Sequence, residues 1–201
     1  MSTDRDRYAA LDVTHAIWDR FFWVAPLVVI GTTEPDGSFD LAPKHMATPL
    51  GWQNYFGFVC TPRHATYRNT IREGAFAVSY PRPDQLVHTS LSAEPRCDDG
   101  QKASVADMAT VPGQVVPAPL LDDAYVHLEC ELDRIVEGFG ENGLVVGRIV
   151  AARVQQVALR RRALEDQRLI AQNPLLAYLA PGQFARIDRG HNFPFPEGFS
   201  R

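Results

Sequence analysis

Hydrophobic and polar positions along this chain fall mainly into short runs that are typical of β-strands. Residues 26–33 form a β-branched run that ends at the turn-forming residues 34–37, so we predict a buried strand that returns as a hairpin over 38–41. In residues 125–132 apolar and polar side chains alternate, which is the period of a half-buried antiparallel strand. Similar runs predict further strands over residues 52–60, 75–80, 144–157 and 183–187.

Helical patterns are fewer than strand patterns. Residues 5–22 carry apolar positions among charges, which predicts a short amphipathic N-terminal helix. Residues 62–73 predict a second helix, with Thr61 as its N-cap, Pro62 as its first residue and Gly74 closing it. The excess of strands therefore favours a barrel with peripheral helices over a doubly wound α/β fold.

The chain shows no internal repeat and no linker between two cores. Residues 84–121 are irregular by pattern, apart from a short helix predicted over 102–108. The length fits one domain, residues 1–201, with a barrel core over about 20–190. The aromatic tail, residues 191–199, could cover a ligand, close a dimer interface or lie over the barrel.

The sequence Gly138-Phe-Gly-Glu-Asn-Gly143 matches the glycine pattern of dinucleotide-binding folds. That pattern requires a helix N-terminus directly after the glycines, because the backbone N–H groups there bind the pyrophosphate. The residues that follow, 144–151, are rich in β-branched side chains instead. We therefore predict a hairpin loop in which Asn142 and Gly143 supply the positive φ angles.

Composition excludes several classes of function. Of the 201 residues 45% are hydrophobic and 22% charged, which is typical of a globular protein, and the net charge is −4. The one short basic block, Arg160–Arg162, is too small for a nucleic-acid surface. The longest apolar stretch, residues 23–30, is far shorter than the ~20 residues that span a bilayer. With no secretory signal visible at the start, we expect a cytoplasmic protein that binds neither nucleic acid nor membrane.

Cysteine and histidine spacing gives no metal motif. The three cysteines, Cys60, Cys97 and Cys130, form no C-x-x-C pair, and the six histidines are scattered. Cys60 and Cys130 lie on predicted strands, where we expect buried packing residues more than redox thiols. His127 lies on the polar face of its strand, where solvent exposure is favoured over a role in ligand binding.

The start of the second predicted helix has the composition of an anion site. A helix N-terminus offers unpaired backbone N–H groups and the positive end of the helix dipole. Arg63 and His64 add donors there, and Thr66 and Asn69 share one face of the helix. The residues alone leave open an ordinary surface helix with solvated polar side chains.

The run Pro26-Leu-Val-Val-Ile-Gly-Thr-Thr33 and five later segments resemble, in the same order, the flavin reductase-like family with its FMN-binding split barrel. The resemblance covers most of residues 20–190. It implies a fold that is mainly β with peripheral helices: a six-stranded antiparallel split β-barrel with Greek-key connections, usually a homodimer with FMN near the interface. The later segments are residues 36–43, 64–78, 126–132, 146–154 and 173–179.

The resemblance also implies which residues bind the cofactor. The loop that passes the isoalloxazine ring and ribityl chain would be Lys44, His45, Met46, Ala47 and Thr48. The segment that holds the phosphate would be Thr61, Arg63, His64, Thr66 and Asn69. Many relatives have small hydroxyl residues where this chain has Lys44, His45 and Met46, so the environment of the ring differs. Lys44 could stabilise anionic reduced flavin, or it could be a solvated surface lysine.

The function that follows from the resemblance is an FMN-binding oxidoreductase in which NADH or NADPH reduces the flavin, FAD being a possible substitute. Free flavin, oxygen or a partner oxygenase would accept the electrons. This chemistry belongs to the cofactor, so we expect no catalytic acid–base residues in the protein. The alternatives are an FMN-binding electron-transfer protein that NAD(P)H does not reduce, and a split barrel that has lost flavin.

Overall fold

A curled antiparallel sheet of seven strands forms the centre of the computed structural model, which describes residues 7–96, 102–161 and 165–198. The strands are β1 (Trp23–Pro26), β2 (Val28–Thr33), β3 (Phe39–Lys44), β4 (Ala47–Pro49), β5 (Tyr55–Cys60), β6 (Ala75–Tyr80), β7 (Thr110–Pro112), β8 (Pro119–Leu121), β9 (Val126–Phe139), β10 (Asn142–Val154), β11 (Leu175–Ala180) and β12 (Gln183–Ile187). The strand order in the large sheet is β3-β2-β6-β9-β10-β5-β4, so this sheet has one strand more than the six predicted. Strands β1, β11 and β12 form a second sheet, and β7 pairs with β8.

Short helices lie outside the sheet. They are α1 (Ala65–Glu73), α2 (Leu86–Leu91), α3 (Ala103–Ala106) and α4 (Asp166–Gln172), with a 3₁₀ turn over Pro83–Gln85. Helix α1 ends at Gly74 as predicted, in the left-handed conformation that glycine favours. It begins later than predicted, because residues 61–64 form a turn closed by the hydrogen bond that the His64 N–H donates to the Thr61 carbonyl. His64, not Thr61, is the N-cap residue.

The main core lies against the inner face of the curled sheet. Phe58 and Phe76 meet edge to face with ring centroids 5.1 Å apart. Gly147 on β10 makes this packing possible, because a Cβ there would lie 2.5 Å from the Phe76 ring. Cys60 and Cys130 are buried in the same cluster, which confirms them as packing residues.

The predictions for the N-terminal segment and for the turn between β9 and β10 are wrong. No helix forms in the described part of the N-terminal segment, residues 7–22, because nearly all of its side chains are exposed and no apolar face is buried. In the hairpin between β9 and β10, the turn residues are Gly140 and Glu141, and the positive φ angles belong to Gly138 and Gly140. Asn142 and Gly143 already belong to β10, because the strand pairing begins at Asn142 opposite Phe139.

Other segments differ from their sequence pattern in position or environment. The region predicted to be irregular contains α2 and the β7–β8 pair, in addition to the predicted short helix at α3. His127 is half-buried, and its Nε2 donates to the Leu121 carbonyl at 2.8 Å, so the prediction of solvent exposure is wrong. Cys97, Arg162 and Phe199 lie outside the described residues. No helix among the described residues is long and apolar enough to cross a membrane.

Candidate functional site

The end of strand β3 separates two neighbouring cavities. Side chains alternate across a strand, so Asp40, Ala42 and Lys44 share one face. All three line a polar cavity of about 380 Å³. His45, the next residue, lines an apolar cavity of about 600 Å³ instead, and Pro43 borders both.

The polar cavity is rich in cations, and we call it the cationic cavity. It lies between β3, the start of α1 and the segment that follows α2. Its basic lining residues are Lys44, Arg63, His64, Arg68, Arg96 and Lys102. Only Asp40 and Glu94 are acidic among the described lining residues, so the cavity has an excess of positive charge.

Some of these cations are already neutralised by carboxylates. Lys102 Nζ lies 2.9 Å from an oxygen of the buried Asp40, and Arg96 lies 3.2 Å from the same oxygen. Arg96 also pairs with Glu34, and Arg63 pairs with Glu141.

Lys44 and Arg68 differ from the other lysine and arginine residues of this cavity. Neither makes an ion pair with any residue that the structure describes. Among the described residues, the Arg68 guanidinium donates to the carbonyls of Pro62 and Arg63. These two side chains can therefore neutralise an anionic ligand without giving up a carboxylate partner.

Helix α1 begins at this cavity. Its N-cap residue, His64, makes no side-chain cap hydrogen bond, and the first turn contains no acidic residue. The pKa of His64 is lowered, first by partial burial and then by the charges of Lys44, Lys102 and Arg63. The N-terminus of α1 and the basic side chains therefore both contribute to a positive potential in the cavity, which favours the binding of an anion such as a phosphate.

Thr66 and Asn69 lie on the buried face of α1. Thr66 lines the cavity, but its hydroxyl donates to Asp40 at 3.0 Å. The Asn69 amide donates to Thr32 at 3.1 Å, and Asn69 accepts from Arg72 at 2.8 Å. Asn69 does not line the cavity, so its predicted contact with a phosphate stays a prediction.

The apolar cavity lies between α2, the end of β3 and the β11–β12 hairpin. No Asp, Glu, Lys or Arg lines it among the described residues. Its lining residues are Leu27, Pro43, His45, Leu86, Val87, Thr89, Ser90, Leu91, Ala93, Tyr178, Gly182, Gln183 and Phe184. Pro43 and Ala93 also line the cationic cavity, so a ligand with an anionic end and an apolar end could occupy both cavities.

His45 lies within a group of aromatic rings at the edge of the apolar cavity. Its ring centroid is 4.6 Å from that of Tyr178 and 5.7 Å from that of Trp23, which in turn contacts Trp18. Burial and the charge of Lys44 lower the pKa of His45. The imidazole is therefore neutral at pH 7 and has one N–H donor and one acceptor.

The remaining predicted residues lie beside the cavities without lining them. Met46 and Thr48 are exposed, and Ala47 is buried in the core at the start of β4. Thr61 is buried at the turn before α1, where its hydroxyl accepts from the Arg63 N–H at 3.5 Å.

Among the polar residues of the cationic cavity that the sequence analysis missed are one buried carboxylate and three cations. Asp40, Arg68, Arg96 and Lys102 all line it. Lys102 comes from a segment whose pattern predicts only a short helix, and its partner Asp40 lies on a distant strand. Of these four residues, only Arg68 could have been predicted from the sequence pattern, because it is one helical turn after His64.

A comparison with protein families matches residues 23–178 to the family model described as flavin reductase like domain. The match includes β1 to β10 and most of β11, and it therefore contains both cavity-lining segments around Lys44 and His64.

Solved structures share this fold. The FMN-binding protein from Thermus thermophilus with bound p-hydroxybenzaldehyde has a TM-score of 0.73 and 20% identity, covering 93% of this chain and 98% of that one. Nitrilotriacetate monooxygenase component B from Bacillus cereus has a TM-score of 0.72 and 18% identity, with 86% and 88% covered. The NADH:FAD oxidoreductase from Streptomyces globisporus C-1027 has a TM-score of 0.65 and 17% identity, with 82% and 86% covered.

Proposed function

Because the chain belongs to the flavin reductase-like family, we propose that it is an FMN-binding oxidoreductase reduced by NADH or NADPH. The observation that carries this proposal is the cationic cavity, in which Lys44 and Arg68 have no carboxylate partner among the described residues. A phosphate group on a planar apolar ring system suits that cavity together with the apolar cavity beside it.

The phosphate end of FMN would lie in the cationic cavity. Lys44, Arg68 and the N-terminus of α1 would bind it directly, with Arg63, His64 and Thr66 around them. Thr61 and Asn69 would act by fixing the turn before α1 and the packing of α1 against Thr32. FAD, with a second phosphate and an adenosine, remains a possible substitute.

The ribityl chain and ring would pass along residues 44–48, which separate the two cavities. Lys44 faces the cationic cavity, so its charge would act on the phosphate more directly than on the ring. His45 faces the apolar cavity with a neutral imidazole. Met46, Ala47 and Thr48 would contribute backbone groups from the loop and the start of β4.

When bound, FMN supplies the hydride acceptor, and the protein has to hold donor and acceptor together and exclude competing reactions. We assign no catalytic acid or base to this chain. The electrons would pass to free flavin, oxygen or a partner oxygenase. The fold shared with an NADH:FAD oxidoreductase and with a monooxygenase component supports this proposal.

The same proposal includes the assembly that the family resemblance implies, a Greek-key split barrel that forms a homodimer with FMN near the interface. Exposed apolar side chains are consistent with a dimer, among them Val24 and Phe184 on the smaller sheet.

Anaerobic mixing of the FMN-loaded chain with NADH, and separately with NADPH, tests the function. Rapid loss of the oxidised flavin absorbance with either nucleotide is expected, and the faster one identifies the donor. Tight FMN binding without loss of absorbance would support an electron-transfer protein instead. Failure to bind FMN would contradict both.

A further inference from the structure

His45 lies at the edge of the apolar cavity with a half-buried imidazole whose nitrogens make no hydrogen bond to any residue that the structure describes. Its ring centroid lies 4.6 Å from that of Tyr178 and 5.7 Å from that of Trp23, so the ring is held by aromatic packing. The Tyr178 hydroxyl accepts from the Gly182 N–H at 2.8 Å instead of bonding to the imidazole. In its neutral form His45 therefore has one ring nitrogen free to accept a proton.

The charged surroundings of His45 come from one side only. Lys44, the preceding residue at the end of β3, lowers the pKa of His45 after burial, which is the larger cause. Helix α2 contributes aliphatic, Thr and Ser residues to the cavity lining, β12 contributes Gln183 and Phe184, and β11 contributes the phenol of Tyr178. No Asp or Glu lines the cavity in the described part of the chain, so a positive charge on His45 has no counter-ion there.

A bound flavin would change this balance in two steps. Its phosphate, in the cationic cavity, would compensate the charge of Lys44 and so oppose one cause of the lowered pKa of His45. Reduction of the ring would then add negative charge between apolar walls, where charges are screened less than in water. Both steps favour the imidazolium form, and the second occurs only when the ring is reduced.

We propose that His45 takes up a proton from water at its free ring nitrogen when a flavin beside it is reduced, and that the imidazolium compensates the charge on the reduced ring. The hydride carries two electrons and one proton to the ring, and His45 binds one further proton, so the charges balance. His45 acts on the reduction potential and is not an acid or base in the hydride transfer. This inference rests on the proposed function, because it requires the flavin ring next to His45.

The expected signature is a potential that depends on pH through one side chain. Reduction should raise the pKa of His45, so its stabilisation of the reduced form is fully present below the pKa in the oxidised form and is lost as pH rises through the higher pKa in the reduced form. Between these two values the wild type takes up one proton more than a variant without the imidazole. This is a tenfold change in the reduction equilibrium per pH unit, or about 30 mV for a two-electron couple.

Three variants separate titration from packing. His45→Gln keeps a polar side chain, and His45→Phe keeps an aromatic ring next to Tyr178, but neither titrates. His88→Gln is the matched control, because His88 is an exposed histidine of α2 outside the cavity lining. The full chain is loaded with FMN and its potential is measured by anaerobic spectroelectrochemistry at pH values on both sides of 6.5, the ordinary pKa of histidine. NMR titration of the imidazoles, with the flavin oxidised and then reduced by dithionite, measures the pKa of His45 directly.

We expect the pKa of His45 to rise by about one unit or more on reduction. Both His45 variants should lose the additional pH dependence of the potential, and His88→Gln should keep it. An unchanged pKa of His45 on reduction would overturn the proposal, as would equal pH dependence in the wild type and His45→Gln. A loss in His45→Phe alone would assign the effect to packing and would also overturn it.

Dithionite reduces the flavin without a nicotinamide, so the two proposals can fail separately. Proton uptake by His45 in a chain that NADH and NADPH do not reduce would contradict the proposed function alone. Rapid reduction by either nucleotide with no change at His45 would contradict this inference alone. Failure to bind FMN would contradict both.

Discussion

Lys102 Nζ lies 2.9 Å from the carboxylate of Asp40 and also donates to the carbonyls of Leu41 and Ser92, each at 3.0 Å. Asp40 and Leu41 belong to β3, and Ser92 follows α2 directly. One ammonium group therefore joins two walls of the cationic cavity that are distant in sequence. Asp40 is buried, so this ion pair is screened little by solvent.

Asp40→Asn should destabilise the protein by about 3 kcal/mol, because it leaves Lys102 and Arg96 without their shared buried carboxylate. Urea unfolding monitored by circular dichroism measures the change. Inorganic phosphate should restore part of the lost stability, since an anion can replace the missing charge. Glu141→Gln, which removes an exposed partner of Arg63, is the control and should have little effect. Equal losses for both variants would contradict this assignment.

Lys44→Met and Arg68→Met should each weaken FMN binding roughly tenfold, because each removes a charge-assisted contact to the phosphate. Riboflavin lacks the phosphate, so its affinity should not change. Fluorescence titration of both flavins measures the difference. Arg134→Met, at an exposed cation of β9 that pairs with Asp133, is the matched control. Parallel losses for FMN and riboflavin would show that the two cations act on folding or on the ring.

FMN binding should raise the pKa of His64. Partial burial and the nearby charges of Lys44, Lys102 and Arg63 lower this pKa in the free protein, and a phosphate would oppose those charges. By linkage, the contribution of His64 to FMN affinity is fully present below the free-state pKa and is lost as pH rises through the higher bound-state pKa. NMR titration of the imidazole with and without FMN measures the shift.

His64→Gln separates this effect from the titration of the phosphate itself, whose second pKa is about 6. The variant should retain the pH dependence due to the phosphate and lose the part due to His64. An unchanged imidazole pKa on binding would place the phosphate away from His64.

The sequence predicts the strands well where side chains alternate or β-branched residues cluster. The bounds of β6 and β12 agree with the prediction, because Gly and Pro residues mark at least one end of each strand. Strand β9 continues seven residues beyond its predicted end at Leu132, because apolar and polar side chains do not alternate over residues 133–139 and most of them are exposed. Helix α2 was missed for a related reason, since six residues contain too few periods to be recognised.

Only part of the candidate site could be predicted from the sequence. The turn at Thr61 and the start of α1 follow from local signals, so Arg63 and His64 were identified. The family resemblance assigned Thr66 and Asn69 on the inward face of α1 to the phosphate, and in the structure they hydrogen-bond to Asp40 and Thr32. The sequence pattern of a polar helix face is the same whether its side chains hydrogen-bond to solvent, to a ligand or to buried groups such as Thr32.

Glu129 on β9 is a second polar side chain whose environment the sequence pattern does not give. The alternation of apolar and polar residues places it on the polar face of the strand, yet it is only 1% exposed. The N–H groups of Val115 and Val116 donate to its carboxylate at 2.6 and 3.0 Å. Burial alone would raise its pKa, but these donors and the charge of Arg153 outweigh burial and lower the pKa from 4.5.

Glu129→Gln should therefore cost about 2 kcal/mol of stability at pH 7, as the donors lose a charged acceptor. The stabilisation by Glu129 is present above the unfolded-state pKa of 4.5 and is lost as pH falls through the lower native pKa, so the difference from the wild type should shrink as the pH falls below 4.5. Urea unfolding across this pH range measures it. Glu131→Gln, on the same strand but exposed, is the control, and a pH-independent difference for Glu129→Gln would argue against an ionised acceptor.

Side chains alternate between the two faces of β3, so the register of this strand decides which residue lines which of the two cavities. Val28 pairs with Lys44 in the hairpin, and this pairing directs the ammonium group to the polar side and the following imidazole to the apolar side. A slip of one residue would exchange the two, placing a charge among apolar walls and removing it from the anion site. Insertions or deletions in the turn over residues 34–37 should therefore damage both sites at once, even though no residue of that turn lines either cavity.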